Sequence, residues 1–153
     1  MGAVPARTWR LFLNGWVRTM DAHVKAQLES IGVDIDVTMA RFLDNEDLYF
    51  KYLKQSLEDE DSFVQLSRQL EENDYPTAFD TVHTLKGVFG NLGLTHLYGA
   101  LSGLTEALRG TQPSDSPAAS ANAAFDVSPV LAARDEAFDA LRDDLDLGND
   151  TPS

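Results

Sequence analysis

The residues best able to do chemistry in this chain fall in one short run, His83-Thr84-Leu85-Lys86-Gly87, with Gly90 just beyond it. Imidazole is a nucleophile and proton carrier near neutral pH. On a helix, residues three and four positions on lie one turn above on the same face. Lys86 is then within reach of an anion carried on His83, as a phosphoryl group would be, and Gly87 leaves a side-chain-free surface beside the ring. The plainer reading is a solvated helix face on which a histidine stands beside a lysine. Other chemistries are missing from the chain. There is no cysteine, which excludes thiol catalysis, disulfides and cysteine-type zinc sites. There is no Gly-x-x-x-x-Gly-Lys-Ser loop for ATP phosphates. His23 and His96 have no motif around them and read as surface residues, so no metal site is expected.

Helical geometry sets the orientation of that run. At 100° per residue, Ala78, Val82, Leu85, Val88, Phe89 and Leu92 fall within an arc of about 120°, the expected core face. His83 lies nearly opposite its centre and should face solvent, and Gly90 continues the outward stripe. A glycine inside a helix costs about 1 kcal/mol relative to alanine. Because both glycines point away from the expected core, clearance for a large partner explains them better than close helix packing. Phe79, one turn before His83, lies outside the core arc. It reads either as an edge-of-core aromatic under a neighbouring helix or as an apolar docking contact.

The elements that must hold this run are helices throughout. No stretch shows sustained alternation of β-branched residues. The spacing predicts helices over Met20–Ile31, Asp36–Leu43 and Glu46–Leu57, the last capped by Asn45. Asp61 or Ser62 caps a helix through Glu71. Pro76 opens the helix that carries His83, which stops at Gly93. Leu94–Arg109 follows. Ser128 caps a final helix to Leu147, with Pro129 at its first position. The connection 110–127 is rich in Ser, Ala and Pro and reads as flexible. The expected class is all-α: an up-and-down antiparallel four-helix bundle with additional N-terminal helices.

At 153 residues the chain is the size of one domain, taken as 20–147, with 148–153 a disordered tail. The net charge of −13 argues against bare nucleic acid, which needs clustered Lys and Arg. No apolar run is long enough to span a bilayer. The acidic runs Glu58–Asp61, Glu71–Asp74 and Asp143–Asp146 read as solvated ends and faces. Residues 1–19 carry Arg7, Arg10 and Arg18 but no acid, together with both tryptophans. They read as a basic amphipathic helix, as an extra packed helix, or as an extension with no role that precedes a start at Met20.

Val82–Leu94, VHTLKGVFGNLGL, resembles the signature of histidine-containing phosphotransfer (HPt) domains, whose core is His-x-x-Lys-Gly. Arg41, Phe42 and Tyr49 resemble the family's N-terminal region, and the leucines at 94, 97, 101, 104 and 108 resemble the helix after the histidine. The resemblance implies that His83 accepts a phosphoryl group, usually on Nε2, from the phospho-aspartate of a response-regulator receiver domain and passes it to another receiver. The partners are then such receivers or a hybrid histidine kinase. Lys86 would offset the phosphate charge, and Gly87 would leave room for the receiver. Phe79, Gly90 and Thr105 are the candidate docking positions. Mg²⁺ belongs to the receiver, so the chain needs no cofactor of its own and is a cytoplasmic relay intermediate rather than an enzyme. The family often places Glu or Gln 22 residues after the histidine to bond Nδ1; here that position is Thr105, whose short hydroxyl is a weaker acceptor. The alternative is a non-transferring module of the same fold that binds receivers or kinases. A structural bundle with a coincidental motif is the third class.

Overall fold

A computed structural model describes residues 20–109 and 125–147. The expectations for 1–19, 110–124 and 148–153 lie outside the described residues. Within them the chain is all-helical, as expected: α1 (Ala22–Ser30), α2 (Ile35–Arg41), α3 (Glu46–Glu58), α4 (Glu60–Glu71), α5 (Tyr75–Asn91), α6 (Thr95–Arg109) and α7 (Ser128–Leu145).

Local chemistry sets most of the boundaries. Asp21, Asp34, Asn45 and Asp59 each accept a hydrogen bond from the backbone N–H three residues on, which caps α1 to α4 in turn. The α4 cap is therefore Asp59, not Asp61 or Ser62. Asp59 ends α3 and opens α4 with a single non-helical residue between them, and a helical periodicity does not show so short a break. At α7 the first helical residue is Ser128 itself, and Asp126 accepts from its backbone N–H. Hydrogen bonds from the Ser128 side chain first, and then from this backbone N–H, lower the Asp126 carboxyl from its ordinary value. Phe125 and Val127, assigned by composition to the connection, pack against the core. Phe125 meets the Tyr75 ring edge-on, with centroids 4.8 Å apart.

Helices α4, α5, α6 and α7 pack successively on one another, and α1 and α3 close against α7. The core runs through all of them. Tyr49, Phe50, Leu66, Phe89, Leu97, Leu101 and Leu141 are each at most 1% exposed. Arg134 of α7 ties the α3–α4 break to this core. Its guanidinium lies 5.3 Å from the ring centroids of both Phe63 and Phe138 and donates to the Leu57 carbonyl at 3.0 Å. Of the acidic runs, Asp143–Asp146 is not uniformly solvated. Asp144 is buried and meets His23 Nε2 at 3.2 Å.

Candidate functional site

The site is built on α5, which lies between α4 and α6. Ala78, Val82, Leu85 and Phe89 are buried, which turns His83 outward to solvent. Val88, assigned to the core arc, is 38% exposed. It lies at the edge of that arc.

The C-terminal end of α5 is held by side chains of α2 and α3. Arg41 of α2 donates to the Gly90 carbonyl at 2.8 Å and to the Asn91 carbonyl at 3.4 Å. The Tyr49 hydroxyl of α3 donates to the Leu92 carbonyl at 2.8 Å in a buried position. The Gly90 carbonyl also accepts from the Gly93 N–H at 3.1 Å, and the two side chains add partners for the carbonyls at this end, where the helical hydrogen-bond ladder runs out. Burial also pushes the Tyr49 phenol up, well above its ordinary range. Gly93 then turns the chain with a positive φ of 81°, and a Cβ there would strike the Thr38 hydroxyl. The chain returns as α6. Arg41, Phe42 and Tyr49, which resemble the family's N-terminal region, thus have a common structural purpose. The Phe42 ring meets Tyr49 edge-on at 5.1 Å, and all three gather around the end of the site helix.

Around His83 the geometry is open. Among the described residues no hydrogen bond or ion pair reaches its ring. The ring contact it makes is with Phe79, one turn earlier: centroids are 5.9 Å apart and the planes lie at 26°. Arg109, in the last turn of α6, stands over the same Phe79 ring at 5.7 Å and pairs with Glu106 at 3.2 Å. Lys86 stands over the Tyr98 ring at 5.6 Å with no ion pair among the described residues. Contacts of this kind contribute about 0.5–1 kcal/mol each at exposed sites. Lys86 is thereby held over Tyr98 and Arg109 over the ring that stacks on His83, in a chain whose net charge is strongly negative.

The two glycines differ. A Cβ at Gly87 would meet nothing within 4 Å, so that strip is open as expected. A Cβ at Gly90 would lie 2.8 Å from Tyr98 Cδ2. The clearance at Gly90 is therefore for a neighbouring side chain, which corrects the reading of Gly90 as space left for a partner. The helical wheel places Gly90 correctly on the outward stripe but does not show that Tyr98 of α6 leans over it. Between α2, α5 and α6 lies an open groove of about 580 Å³, lined by Val37, Arg41, Lys86, Gly87, Gly90 and Tyr98, among others. Val37 and Tyr98 are 50% and 40% exposed there.

Thr105 is not where the docking reading puts it. It is fully buried, and its hydroxyl donates to the Leu101 carbonyl at 2.7 Å. It offers a partner no surface and makes no hydrogen bond to His83. Its neighbours Leu101, Leu104 and Leu108 on α6 are equally inward. Phe79 is half-buried against the core. His96 is exposed beside Glu136, at 2.9 Å. Sequence reasoning misses Arg109 and Tyr98. Their signal lies in the antiparallel pairing across the α5–α6 turn, which sets 98 beside 86–90 and 109 beside 79. Among the described residues, no group of three or more His, Asp or Glu side chains is arranged to hold a metal, and no helix is long and apolar enough to cross a membrane.

Comparison with curated proteins and with solved structures returns no match. A family model does match: the Hpt domain, over residues 49–146, well over half of the chain. The matched segment runs from the buried tyrosine of α3 to the end of α7 and contains His83, Lys86 and Gly87. The chain, all-helical over its described residues, belongs to the Hpt domain family, the histidine phosphotransfer modules of two-component phosphorelays.

Proposed function

We propose that this chain is a phosphorelay intermediate in which His83 takes a phosphoryl group from a receiver domain and yields it to another. The observation that carries the reading is His83 itself. It is an exposed imidazole with no hydrogen-bond partner among the described residues, one turn from the cation of Lys86 and beside the open strip at Gly87.

The step needs little from the protein beyond placement and charge. The lone pair of the unprotonated ring nitrogen, taken as Nε2, attacks the phosphorus of an aspartyl phosphate. The N–P bond forms as the P–O bond to the receiver's carboxylate breaks, and the aspartate leaves with that electron pair. The other ring nitrogen keeps its proton. Lys86 swings from Tyr98 towards the transferred group and offsets its charge, a charge-assisted contact stronger than a neutral one. The divalent cation such a transfer requires comes with the receiver, so this chain needs no cofactor. It has no ATP loop and depends on its partners for the phosphoryl group. Partners of this kind, and therefore this chain, belong in the cytoplasm.

The test is a transfer profile. Receiver domains of the source organism are phosphorylated one at a time with acetyl phosphate, mixed with the chain, and assayed for acid-labile phosphate on it. The expected result is rapid labelling from a small subset of receivers and return of label to a second. A second reading, in which the module binds receivers without transfer, draws on the absence of any hydrogen bond among the described residues that orients the His83 ring. Binding without labelling selects it. No binding and no labelling across the panel overturns both.

A further inference from the structure

An exposed histidine used as a nucleophile has to be aimed, and no hydrogen bond among the described residues aims this one. Thr105, which stands where the family resemblance expects an acceptor for Nδ1, is turned into the core and bonded to Leu101. What touches the imidazole is Phe79. The two rings stack with centroids 5.9 Å apart and planes at 26°, an offset arrangement within the range that aromatic pairs favour. Phe79 is in turn packed against the core and has Arg109 over its ring at 5.7 Å. Arg109 is held by Glu106 at 3.2 Å. A continuous set of contacts therefore runs from the last turn of α6 to the reactive ring.

The geometry points to Phe79 as the positioning residue for His83, with Arg109 as its brace, in place of a hydrogen bond from α6. The role rests on the phosphotransfer reading above. A stacked neighbour one helical turn away restricts rotation about the two side-chain bonds of His83, and both ring nitrogens stay free. One can hold its proton towards water while the other reacts. The stack limits direction without selecting a tautomer, unlike a hydrogen-bonded acceptor, which selects one. This differs from a docking role for Phe79. A docking residue changes how tightly the receiver binds; a positioning residue changes how fast the bound complex reacts.

The experiment compares wild type with Phe79→Leu, Phe79→Tyr and Arg109→Gln. The donor is the receiver that labels wild type fastest, over a range of receiver concentrations. Phe79→Leu is expected to lower the saturating transfer rate by about tenfold or more, up to the ~100-fold that a ~1 Å misplacement of a reacting group can cost. The half-saturating receiver concentration should change by less than about twofold. Phe79→Tyr, which keeps the ring, should restore the rate, and Arg109→Gln should fall between. In the free chain, without receiver, the ring-proton NMR signals of His83 should move in Phe79→Leu as the ring current is lost, and stay in Phe79→Tyr.

A raised half-saturating concentration with an unchanged maximal rate would make Phe79 a docking contact and overturn the proposal. So would a Phe79→Leu chain that reacts at the wild-type rate, or His83 signals that do not move. Phe79→Leu melting far below wild type, with Phe79→Tyr no faster, would reduce Phe79 to a core residue and overturn it too. A wild-type chain that no receiver labels overturns the phosphotransfer reading and the positioning role with it. A wild type that is labelled, with Phe79→Leu as fast at saturation, overturns the positioning role alone.

Discussion

Gly87 and Gly90 lie three residues apart on one face of α5, and substitution should separate their roles. At Gly87 a Cβ meets nothing within 4 Å. Replacing glycine by alanine in a helix interior stabilises by about 1 kcal/mol, with no steric term to set against it. For a chain of this size that raises the melting temperature by roughly 2–4 °C. Leucine should give slightly less. At Gly90 the same gain in propensity meets the Tyr98 ring, with contacts of 2.8 and 2.9 Å to Cδ2 and Cε2. Carbon pairs settle at about 3.5–4.0 Å, so the ring must withdraw by about 0.7 Å or more. Tyr98 is 40% exposed and able to swing, but it carries Lys86, and overpacking costs about 1–3 kcal/mol where the neighbour is held. Gly90→Ala should therefore melt at or below wild type, and Gly87→Ala above it. Thermal unfolding followed by circular dichroism reads both. Transfer from a phosphorylated receiver completes the comparison: Gly87→Leu should be as stable as wild type yet slower by about tenfold or more, equivalent to at least ~1.4 kcal/mol of barrier. A Gly87→Leu chain that melts well below wild type would show the strip to be a packing contact. A stable one that transfers at the wild-type rate would show that no partner approaches this face.

Tyr49→Phe removes the donor to the Leu92 carbonyl and leaves a buried acceptor unpaired, so urea unfolding should show a loss of about 1–3 kcal/mol. In wild type the unfolded phenol ionises near its ordinary value of 10.0 while burial keeps the folded one protonated. The stability tied to this group is thus present below that pH and lost as the pH rises above it; the Phe variant should lack that alkaline decline. Thr105→Val should leave transfer unchanged, because the hydroxyl serves the Leu101 carbonyl and not His83. Thr105→Gln should destabilise by about 1–3 kcal/mol through overpacking and should not speed transfer; a faster, stable Gln variant would place this side chain at the imidazole after all. Asp126→Asn should weaken the start of α7, and in wild type that support should fade as the pH falls below the ordinary carboxylate range, since the folded pKa is depressed. Amide exchange at Ser128 and Val130 would detect it.

Much of α5 is legible from the sequence because a helix carries its own geometry. The apolar spacing from Ala78 to Leu92 sets the inward face, and His83 opposite it follows from 100° per residue. Helix ends marked by Asn45, Gly93 and Gly32 are equally readable, since a cap or a positive φ constrains residue type. What periodicity cannot convey is which side of a helix a neighbour occupies. Gly90 sits on the stripe that periodicity assigns it, yet its lack of a side chain answers to Tyr98 of another helix. Thr105 stands at the expected distance along the chain from His83, but its neighbours Leu101, Leu104 and Leu108 show that this face of α6 is the core. Arg109 carries no local signal, because its relation to Phe79 exists only once α5 and α6 are antiparallel. Asp59 is hidden inside an acidic run, where any of several residues has the chemistry of a cap. Asp144 is hidden in the same way: an acidic run marks solvated ends on average, while the partner that this buried carboxylate meets, His23, is far off in sequence.

Everything proposed for the site depends on His83 being the phosphoryl acceptor, and site mapping of the phosphoryl group decides that. Wild type and His83→Gln are each mixed with the receiver that labels wild type fastest, digested at neutral to alkaline pH to preserve an N–P bond, and sequenced by tandem mass spectrometry. Phosphate should be found on His83 alone in wild type, with loss of label in acid. The His83→Gln chain should be unlabelled but fully folded, because an exposed residue changes stability by less than about 0.5 kcal/mol. Phosphate on His23 or His96, or a His83→Gln chain that is still labelled, would place the acceptor elsewhere and refute the assignment.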